Sequence, residues 1–206
     1  MIDVLLADDE HLIRTAMAAL LDLEDDLHVA AEAGSGAELV ALWQRRVEQG
    51  LPPAVAVLDL QMPGMDGIDT AAQLLALTPD AGTLIVTSHG RPGYLKRALS
   101  IGVRGFLPKT APAATLAQVI RTVHTGGRYV DPELAAEAIS AGDSPLTPRE
   151  ADVLEFAADG ASVDEIARRA HLSPGTTRNY LSSAVAKLGV ANRYEATLRA
   201  RERGWI

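Results

Sequence analysis

The segment VLDLQMPGMDG, residues 57–67, decides the fold because it joins a strand, a loop and a helix signal in one short stretch. Apolar residues from Val55 onward end at Asp59, which predicts a buried strand with a carboxylate at its carboxyl end. Pro63 and Gly64 indicate a shaped loop, since proline fixes φ and glycine permits positive φ. A helical pattern then covers residues 67–77. The segment therefore predicts a unit from which parallel α/β sheets are built.

The same alternation of short apolar runs and helical patterns fills residues 1–125. Strands are predicted at residues 4–7, 29–31, 55–58, 83–86 and 105–107, and helices at residues 11–22, 37–47, 67–77, 93–101 and 113–125. Continuous apolar strands separated by helices indicate a parallel sheet covered on both faces. We therefore expect an α/β domain with a five-stranded, doubly wound, flavodoxin-like sheet. In such sheets the functional groups gather at the carboxyl ends of the strands.

A linker is predicted after this domain. Two glycines at 126–127 break the last helix, and the Asp-Pro pair at 131–132 can start a short one. The turn-rich stretch AGDSP, residues 141–145, predicts a domain boundary. The expected organisation is a first domain at residues 1–125, a linker with a short helix at 126–145, and a second domain at 146–206.

The second domain has an all-helical pattern with clear start signals. Thr147 and Glu150 have the T-x-x-E spacing of a capping box. Ser162 is a candidate cap for a second helix, and Ser173 followed by Pro174 suits the start of a third. The four predicted helices begin near residues 148, 162, 174 and 193, and the third ends at 188 before a glycine.

Composition and charge limit the function classes. The 206 residues include no cysteine, which excludes disulfides and thiolate metal sites. No apolar run approaches the roughly 18 residues of a membrane span, so we expect a soluble, cytoplasmic protein without membrane contact. The net charge is −8, but its distribution is uneven. Residues 1–145 have a net charge of −9 and residues 166–206 one of +6, which favours a polyanionic partner for the C-terminal segment.

Polar side chains follow four of the predicted strands at one edge of the sheet. Asp8 and Asp9 follow the first strand, Asp59 the third, Thr87 the fourth and Lys109 the fifth. Three carboxylates held together repel one another unless a cation lies among them, and oxygen ligands favour Mg²⁺. A lysine and a threonine hydroxyl can contact phosphoryl oxygens. The sequence therefore predicts a site at which a phosphoryl group is transferred to a carboxylate.

The predicted helix at 174–188 has an apolar face and a small, polar face. The inner residues are Thr177, Leu181, Ala184, Val185 and Leu188, and the outer ones are Thr176, Asn179, Ser182, Ser183 and Ala186, flanked by Arg178 and Lys187. Arginine and asparagine among small polar residues suit the major groove, where they pair with guanine and adenine. The short connection at 171–173 fits a helix-turn-helix. A helical protein-interaction domain is the alternative that this pattern leaves open.

Residues 1–125 resemble the CheY-like receiver domain of two-component response regulators. The matching segments are LLADDE at 5–10, VLDLQMPGMDG at 57–67, IVTSHG at 85–90 and GFLPKT at 105–110. The resemblance implies that Asp59 is phosphorylated. It also implies that Mg²⁺ is bound by Asp8, Asp9, Asp59 and the backbone carbonyl of Gln61.

The same resemblance assigns three further roles. It implies that Thr87 and Lys109 contact the phosphoryl group. The aromatic switch position falls on Phe106, which lacks the hydroxyl of the tyrosine often found there. A switch that depends on hydrogen bonding of this ring is therefore excluded, whereas an apolar packing change is not.

Residues 146–193 resemble the LuxR-type helix-turn-helix, from LTPRE at 146–150 to KLGV at 187–190. Together with the receiver, this resembles the NarL/FixJ class of response regulators. Thr177 departs from the family, which usually has a branched aliphatic residue there, so its buried hydroxyl must find a backbone acceptor. In relatives the last helix, here 193–203, is a dimer contact on DNA. The resemblance implies base contacts from Arg178, Asn179 and Ser182, and phosphate contacts from Thr176, Tyr180 and Lys187.

Two other classes of protein share parts of this pattern. Phosphatases of the haloacid-dehalogenase type also form a phosphoaspartate, but they need an acid two residues after it, where this chain has Gln61. Receivers that act without phosphorylation typically lack pocket residues, whereas Asp8, Asp9, Asp59, Thr87 and Lys109 are all present. We therefore expect a response regulator and not an enzyme. Its phosphorylation at Asp59 by a sensor histidine kinase is expected to control homodimerisation and the binding of double-stranded promoter DNA.

Overall fold

The computed structural model describes residues 1–51, 54–88, 91–140, 144–158, 160–203 and 205–206. The chain forms two compact units. The first comprises Met1–Gly90 with Arg97–Pro132, and the second comprises Glu133–Ile206 with Arg91–Lys96. The end of the segment IVTSHG and the start of AGDSP lie outside the described residues, so the predicted boundary at 141–145 stays a prediction.

Strands and helices alternate through the first 130 residues. In chain order they are β1 Ile2–Ala7, α1 His11–Leu21, β2 Leu27–Ala33, α2 Gly36–Glu48, β3 Val55–Asp59, α3 Gly67–Leu77, β4 Gly82–Thr87, α4 Pro92–Ser100, β5 Gly105–Pro108, α5 Ala113–His124 and β6 Tyr129–Val130. All strand pairs are parallel, in the order β2-β1-β3-β4-β5-β6. The predicted parallel α/β sheet is confirmed.

Burial follows the apolar runs of the sequence. Every residue of β3 and β4 is buried, as expected for central strands covered on both faces. Leucine and valine side chains from β1, β3 and β4 pack against α1 and α5 in one core cluster. Exposed residues interrupt β2, the edge strand, and this explains why its sequence pattern is the weakest of the five predicted.

A sixth strand corrects the prediction of a five-stranded sheet. The strand β6 lies in the predicted linker and pairs with β5. Phe106 of β5 lies opposite Val130, and the backbone N–H of Asp131 donates to the carbonyl of Phe106 at 3.0 Å. A strand of two residues has no hydrophobic period, so the sequence pattern cannot reveal it. It pairs because β5 would otherwise present unbonded backbone groups at the edge of the sheet.

The rest of the chain is helical, as predicted. The helices are α6 Pro132–Ser140, α7 Pro148–Phe156, α8 Val163–Arg169, α9 Pro174–Leu188 and α10 Arg193–Glu202. Both hydrogen bonds of the capping box between Thr147 and Glu150 are present. The side chains of Ser162 and Ser173 cap α8 and α9, so the predicted start signals are confirmed.

The core of the second unit joins α7, α8, α9 and α10 through buried alanine, leucine, isoleucine and valine side chains. Thr177 is fully buried in α9, and its hydroxyl donates to the carbonyl of Ser173 at 3.0 Å. The hydroxyl therefore has the backbone acceptor that the sequence requires. Among the described residues, no helix combines the length and the apolar character needed to cross a membrane.

Candidate functional site

Three carboxylates meet at the carboxyl edge of the sheet. Asp8 and Asp9 follow β1, and Asp59 ends β3, which pairs directly with β1. One oxygen of each carboxylate lies within 4.8 Å of the others. Asp8 and Asp59 are buried, whereas Asp9 is exposed. The strand order therefore brings together acids that are far apart in the sequence.

The ammonium of Lys109 lies among these carboxylates. Its Nζ is 2.8 Å from Oδ2 of Asp8 and 3.2 Å from Oδ1 of Asp59. Lys109 directly follows β5, and its backbone N–H donates to the carbonyl of Thr87 at 2.7 Å. The lysine is thus fixed to the end of β4 and reaches the pocket as predicted from strand-end positions.

The pocket holds Asp59 in an unusual electrostatic state. Burial raises the pKa of Asp59 to about 6. The charge of Lys109 opposes this shift, and the neighbouring Asp8 and Asp9 add to it because like charges disfavour ionisation. Burial alone would lower the pKa of Lys109, but its hydrogen bond to Asp8 and the charges of Asp59 and Asp8 raise it. At neutral pH both partners are therefore charged.

The described pocket offers oxygen ligands to a cation. Three carboxylates carry more negative charge than Lys109 balances, and hard divalent cations take carboxylate and carbonyl oxygens. Gln61, whose carbonyl is the fourth predicted ligand, lies exposed in the loop that follows β3. In that loop the backbone N–H of Gly67 donates to the carbonyl of Leu60 at 3.0 Å. The chemistry of the donor set fits a hard divalent ion.

Thr87 lies on β4, which is next to β3, and Phe106 lies on β5, one strand further along the sheet. Thr87 ends β4 and is buried, one residue beyond Val86, which lies opposite Asp59. Phe106 is fully buried in β5, opposite Ile85 of β4. The structure therefore places the predicted hydroxyl at the pocket edge and the predicted aromatic switch residue in the core.

Two residues at this edge were missed in the sequence. Oε1 of Glu10 is 3.2 Å from Nζ of Lys109, and the backbone N–H of Glu10 donates to Oδ1 of Asp8 at 2.9 Å. The guanidinium of Arg14 donates to the backbone carbonyl of Asp8 at 2.5 Å. Their positions in the sequence could have indicated that they lie near the pocket, because Glu10 follows the acidic pair directly and Arg14 lies one helical turn further along.

In the second unit, α9 presents one exposed polar stripe. Arg178, Asn179 and Ser182 are exposed and lie on the same side of the helix. Thr176 and Tyr180 are half-buried at its margin. Leu181, Ala184 and Leu188 are buried on the opposite face. The three predicted base-contacting residues thus share one accessible surface.

The flank of α9, between its buried face and its exposed stripe, makes contacts that the sequence did not predict. Ser183, expected to point outward, is half-buried and donates to Oε1 of Glu150 at 2.6 Å. Nζ of Lys187 is 2.7 Å from Oε2 of the same carboxylate. The interpretation of Ser183 was wrong because the capping box already gives Glu150 a role in its own helix. The sequence shows no sign of the second contact, which joins Glu150 to Ser183 on another helix. The four-residue spacing of Ser183 and Lys187 was the only sign that they share a side.

Comparison with known families covers both units. Residues 4–121 match the response regulator receiver domain, and residues 144–200 match the bacterial regulatory proteins of the luxR family. An acidic pocket on a parallel sheet, followed by a helix-turn-helix, defines a two-component response regulator. Within that class, the chain belongs to the NarL/FixJ transcriptional regulators, and it is not an enzyme.

Individual relatives have the same organisation over their whole length. The chain is 40% identical to the transcriptional regulatory protein DesR of Bacillus subtilis (strain 168) over 208 residues, covering 100% of both chains. It is 38% identical to the transcriptional regulatory protein UhpA of Escherichia coli (strain K12) over 205 residues, again with 100% coverage of both. Among solved structures, the response regulator ChrA of a heme-sensing two-component system aligns with a TM-score of 0.56 at 31% identity, covering 100% of this chain and 98% of that one.

Proposed function

We propose that Asp59 accepts a phosphoryl group from the phosphohistidine of a sensor histidine kinase. The observation that carries this proposal is the buried Asp59 carboxylate, 3.2 Å from the ammonium of Lys109 and beside two further carboxylates. An Asp59 oxygen forms a bond to phosphorus while the bond from phosphorus to the imidazole nitrogen breaks, and the electron pair of that bond stays on the nitrogen. Asp59 must be ionised for this attack, and a pKa of about 6 allows it at neutral pH.

In this proposal Asp8, Asp9 and Asp59, with the backbone carbonyl of Gln61, hold Mg²⁺. The donor set supports this choice, because Mg²⁺ prefers carboxylate and carbonyl oxygens. The bound ion supplies positive charge that offsets the carboxylates and the incoming phosphoryl oxygens.

Lys109 and Thr87 then bind the phosphoryl oxygens. Lys109 already lies between Asp8 and Asp59, and Thr87 ends the neighbouring strand. Their movement toward the new dianion alters the packing of β5, in which Phe106 can repack but cannot form a hydrogen bond. This change in packing carries the phosphorylation state of Asp59 to the surface of the first unit.

The second half of the proposal concerns double-stranded promoter DNA. The exposed stripe of α9 enters the major groove, where Arg178, Asn179 and Ser182 contact bases. Thr176 and Tyr180, at its margin, contact phosphates. Support also comes from the RcsB–DNA complex, a solved structure that aligns with a TM-score of 0.59 at 26% identity, with 98% coverage of both chains.

Lys187 is the sixth residue that the resemblance assigns to DNA, as a phosphate contact. Its ammonium is paired with Glu150, so a phosphate would have to share or replace that partner. This competition distinguishes Lys187 from the other five proposed contacts.

Phosphorylation promotes a homodimer, in the cytoplasm, that presents two α9 helices to a two-fold DNA site. The acidic first unit should repel its own copy over most of its surface, so association needs an apolar patch. We place that patch on α1 and α5, and Leu12 and Leu20 of α1 are exposed. The face containing residues 93–101 is the alternative.

The phosphorylation half is tested with acetyl phosphate and Mg²⁺. Intact-mass spectrometry should show one added phosphoryl group on the unmodified chain and none on Asp59→Ala, because the nucleophile is gone. Asp80→Ala, which removes a fully exposed carboxylate of the same unit, should be phosphorylated normally. Undiminished phosphorylation of Asp59→Ala would contradict the assignment.

The DNA half is tested on a duplex that the full chain selects from a random pool. Arg178→Ala should cost about 1–3 kcal/mol on that duplex and relax the preference at one base position. Arg45→Ala removes an exposed arginine of α2 and serves as the charge-matched control. Equal losses of Arg178→Ala on selected and scrambled duplexes would show that Arg178 contacts only phosphate.

A further inference from the structure

A single carboxylate joins the start of α7 to the last turns of α9. Glu150 is buried, and Oε2 accepts from the backbone N–H of Thr147 at 2.6 Å. The same Oε2 accepts from Nζ of Lys187 at 2.7 Å, and Oε1 accepts from the hydroxyl of Ser183 at 2.6 Å. Each carboxylate oxygen thus has a donor from α9, and one also has a donor from the cap of α7.

The position of these donors on α9 is the second observation. Ser183 and Lys187 are one turn apart, on the flank between the buried face and the exposed stripe. The buried face is held by Leu181, Ala184 and Leu188, whose apolar contacts have no preferred direction. Burial of the apolar face sets which side of α9 points inward, and the angle-dependent hydrogen bonds of the flank then restrict the remaining rotation of α9 about its own axis.

We infer that Glu150, Ser183 and Lys187 form a clamp that sets the rotation of α9 and thereby positions Arg178 and Asn179 for the bases. Lys187 is then a positioning residue that acts through Glu150, and it is not a phosphate contact. The inference rests on the proposed function of α9 as the DNA-reading helix. It assigns specificity to three residues that lie beside the reading surface.

The charges support the clamp. Burial alone would raise the pKa of Glu150, but the hydrogen bonds from Lys187, Ser183 and Thr147 outweigh it and lower the pKa to about 2. The carboxylate is therefore ionised throughout the working range of the protein and keeps the ammonium of Lys187 beside it. A lysine whose charge is balanced in this way releases few counterions when DNA binds, unlike a lysine that neutralises a phosphate.

The experiment titrates full-chain variants against the duplex selected by the unmodified chain and against its scrambled version, at several salt concentrations. The clamp variants are Glu150→Gln, Lys187→Met, Ser183→Ala and the double variant Glu150→Gln with Lys187→Met. Ser183→Ala removes one hydrogen bond and no charge, so it keeps the test decisive if a charge variant fails to fold. Thermal unfolding of each variant is followed in parallel.

The ratio of affinities for the selected and scrambled duplexes is the decisive readout. Lys187→Met should lower it about tenfold, because it leaves a buried carboxylate without its cation. Glu150→Gln and Ser183→Ala should lower it by a smaller factor. The double variant should do better than Lys187→Met alone, since both charges are removed together and paired residues are not additive. The salt dependence should remain that of the unmodified chain.

Thr147→Ala is the matched structural control. It removes the hydroxyl that caps α7, whereas the backbone N–H that donates to Glu150 remains. It should lower the unfolding temperature without changing the ratio of affinities. If it lowers that ratio as much as the clamp variants do, destabilisation alone explains the effect and the clamp is refuted.

Two other results overturn the inference. If Lys187→Met weakens both duplexes equally and reduces the salt slope by about one, Lys187 is a phosphate contact. Unchanged ratios in every clamp variant would also refute it. Failure of the proposed function looks different, because then the unmodified chain selects no duplex and Arg178→Ala loses nothing.

Discussion

Asp59 in the first unit and Glu150 in the second are both buried carboxylates paired with a lysine, yet their pKa values lie on opposite sides of normal. Burial raises that of Asp59 to about 6, with the nearby Asp8 and Asp9 adding to the shift. The donors around Glu150 outweigh its burial and lower the pKa to about 2. The two pKa values differ because the neighbours of Asp59 include two acids, whereas the neighbours of Glu150 are hydrogen-bond donors.

The comparison separates a reactive carboxylate from a structural one. Both carboxylate oxygens of Glu150 already accept hydrogen bonds, from Thr147, Ser183 and Lys187. Asp59 shares a single lysine with Asp8 and gains from any cation that enters the pocket. The sheet holds these acids close together although they repel one another. The pocket therefore has a place for positive charge and for a phosphoryl group.

The largest expected effect is the separation of the two titrations. With the full chain free of divalent cations, carboxyl ¹³C NMR should show Asp59 titrating near pH 6. Glu150 should remain ionised from pH 7 down to pH 4, because its pKa is about 2. Adding Mg²⁺ should move the Asp59 midpoint to lower pH, since a nearby cation favours the carboxylate. The variants Asp59→Asn and Glu150→Gln identify the two signals.

The two groups also affect stability in opposite directions. The pKa of Asp59 is raised on folding, so its contribution to stability is present at low pH and is lost as pH rises through about 6. The pKa of Glu150 is lowered, so its contribution is present above the ordinary value of 4.5 and is lost as pH falls toward 2. Titration of both carboxyls near pH 4 would remove the contrast between reactive and structural sites.

A smaller effect on the free energy of unfolding is expected from two glycines, because the backbone is packed more closely around one than around the other. A Cβ on Gly67 would lie 2.1 Å from the carbonyl oxygen of Asp59, whereas one on Gly175 would lie 3.8 Å from its nearest neighbour, Oγ of Ser173. Gly67→Ala should therefore cost about 3 kcal/mol by forcing the loop away from β3. Gly175→Ala, in the first turn of α9, should gain about 0.5 kcal/mol because alanine loses less backbone freedom.

These free energies are measured by urea unfolding with one tryptophan reporting for each unit. Trp43 reports on the first unit in a Trp205→Phe background, and Trp205 reports on the second in a Trp43→Phe background. If Gly67→Ala unfolds like its parent, the loop after β3 yields easily. Asp59 would then owe its position to the strand alone.

The pocket of the first unit could be predicted because it follows from topology. Asp59, Thr87 and Lys109 each come directly at or after the end of a strand, and parallel strands bring those ends together. The edge strand β6 could not be predicted, because two residues carry no period and pair only with an edge that the rest of the fold provides.

The second unit was predictable in its helices but not in its side-chain contacts. Cap residues such as Thr147 and Ser173 act on their own helix, so local sequence is enough. The contact of Glu150 with Ser183 and Lys187 joins two helices, and no local pattern encodes it. The outward direction assigned to Ser183 failed for this reason. It lies close to the boundary between two faces, where a helical period gives the least information.

The smallest expected effect concerns backbone conformation. Among the described residues, His171 is the one non-glycine with positive φ, at 55°, in the turn between α8 and α9. Gly189 has a similar φ of 61°, at the end of α9. The described positive-φ positions of the first unit are glycines throughout. A side chain costs roughly 1 kcal/mol in this conformation. The second unit therefore carries backbone strain at His171, whereas the described positive-φ positions of the first unit avoid it because they are glycines.

His171→Gly should therefore stabilise the second unit by about 0.5–1 kcal/mol, and Gly189→Ala should destabilise it by about 1 kcal/mol. The two substitutions form a matched pair, since they exchange the same preference at two ends of α9. Unfolding in urea, followed by Trp205, measures both. A gain from His171→Gly together with unchanged DNA affinity would mean that the strain serves no purpose in reading. A loss of stability in His171→Gly would show that contacts of the imidazole offset the backbone strain. The second unit would then carry no more net strain at its turns than the first.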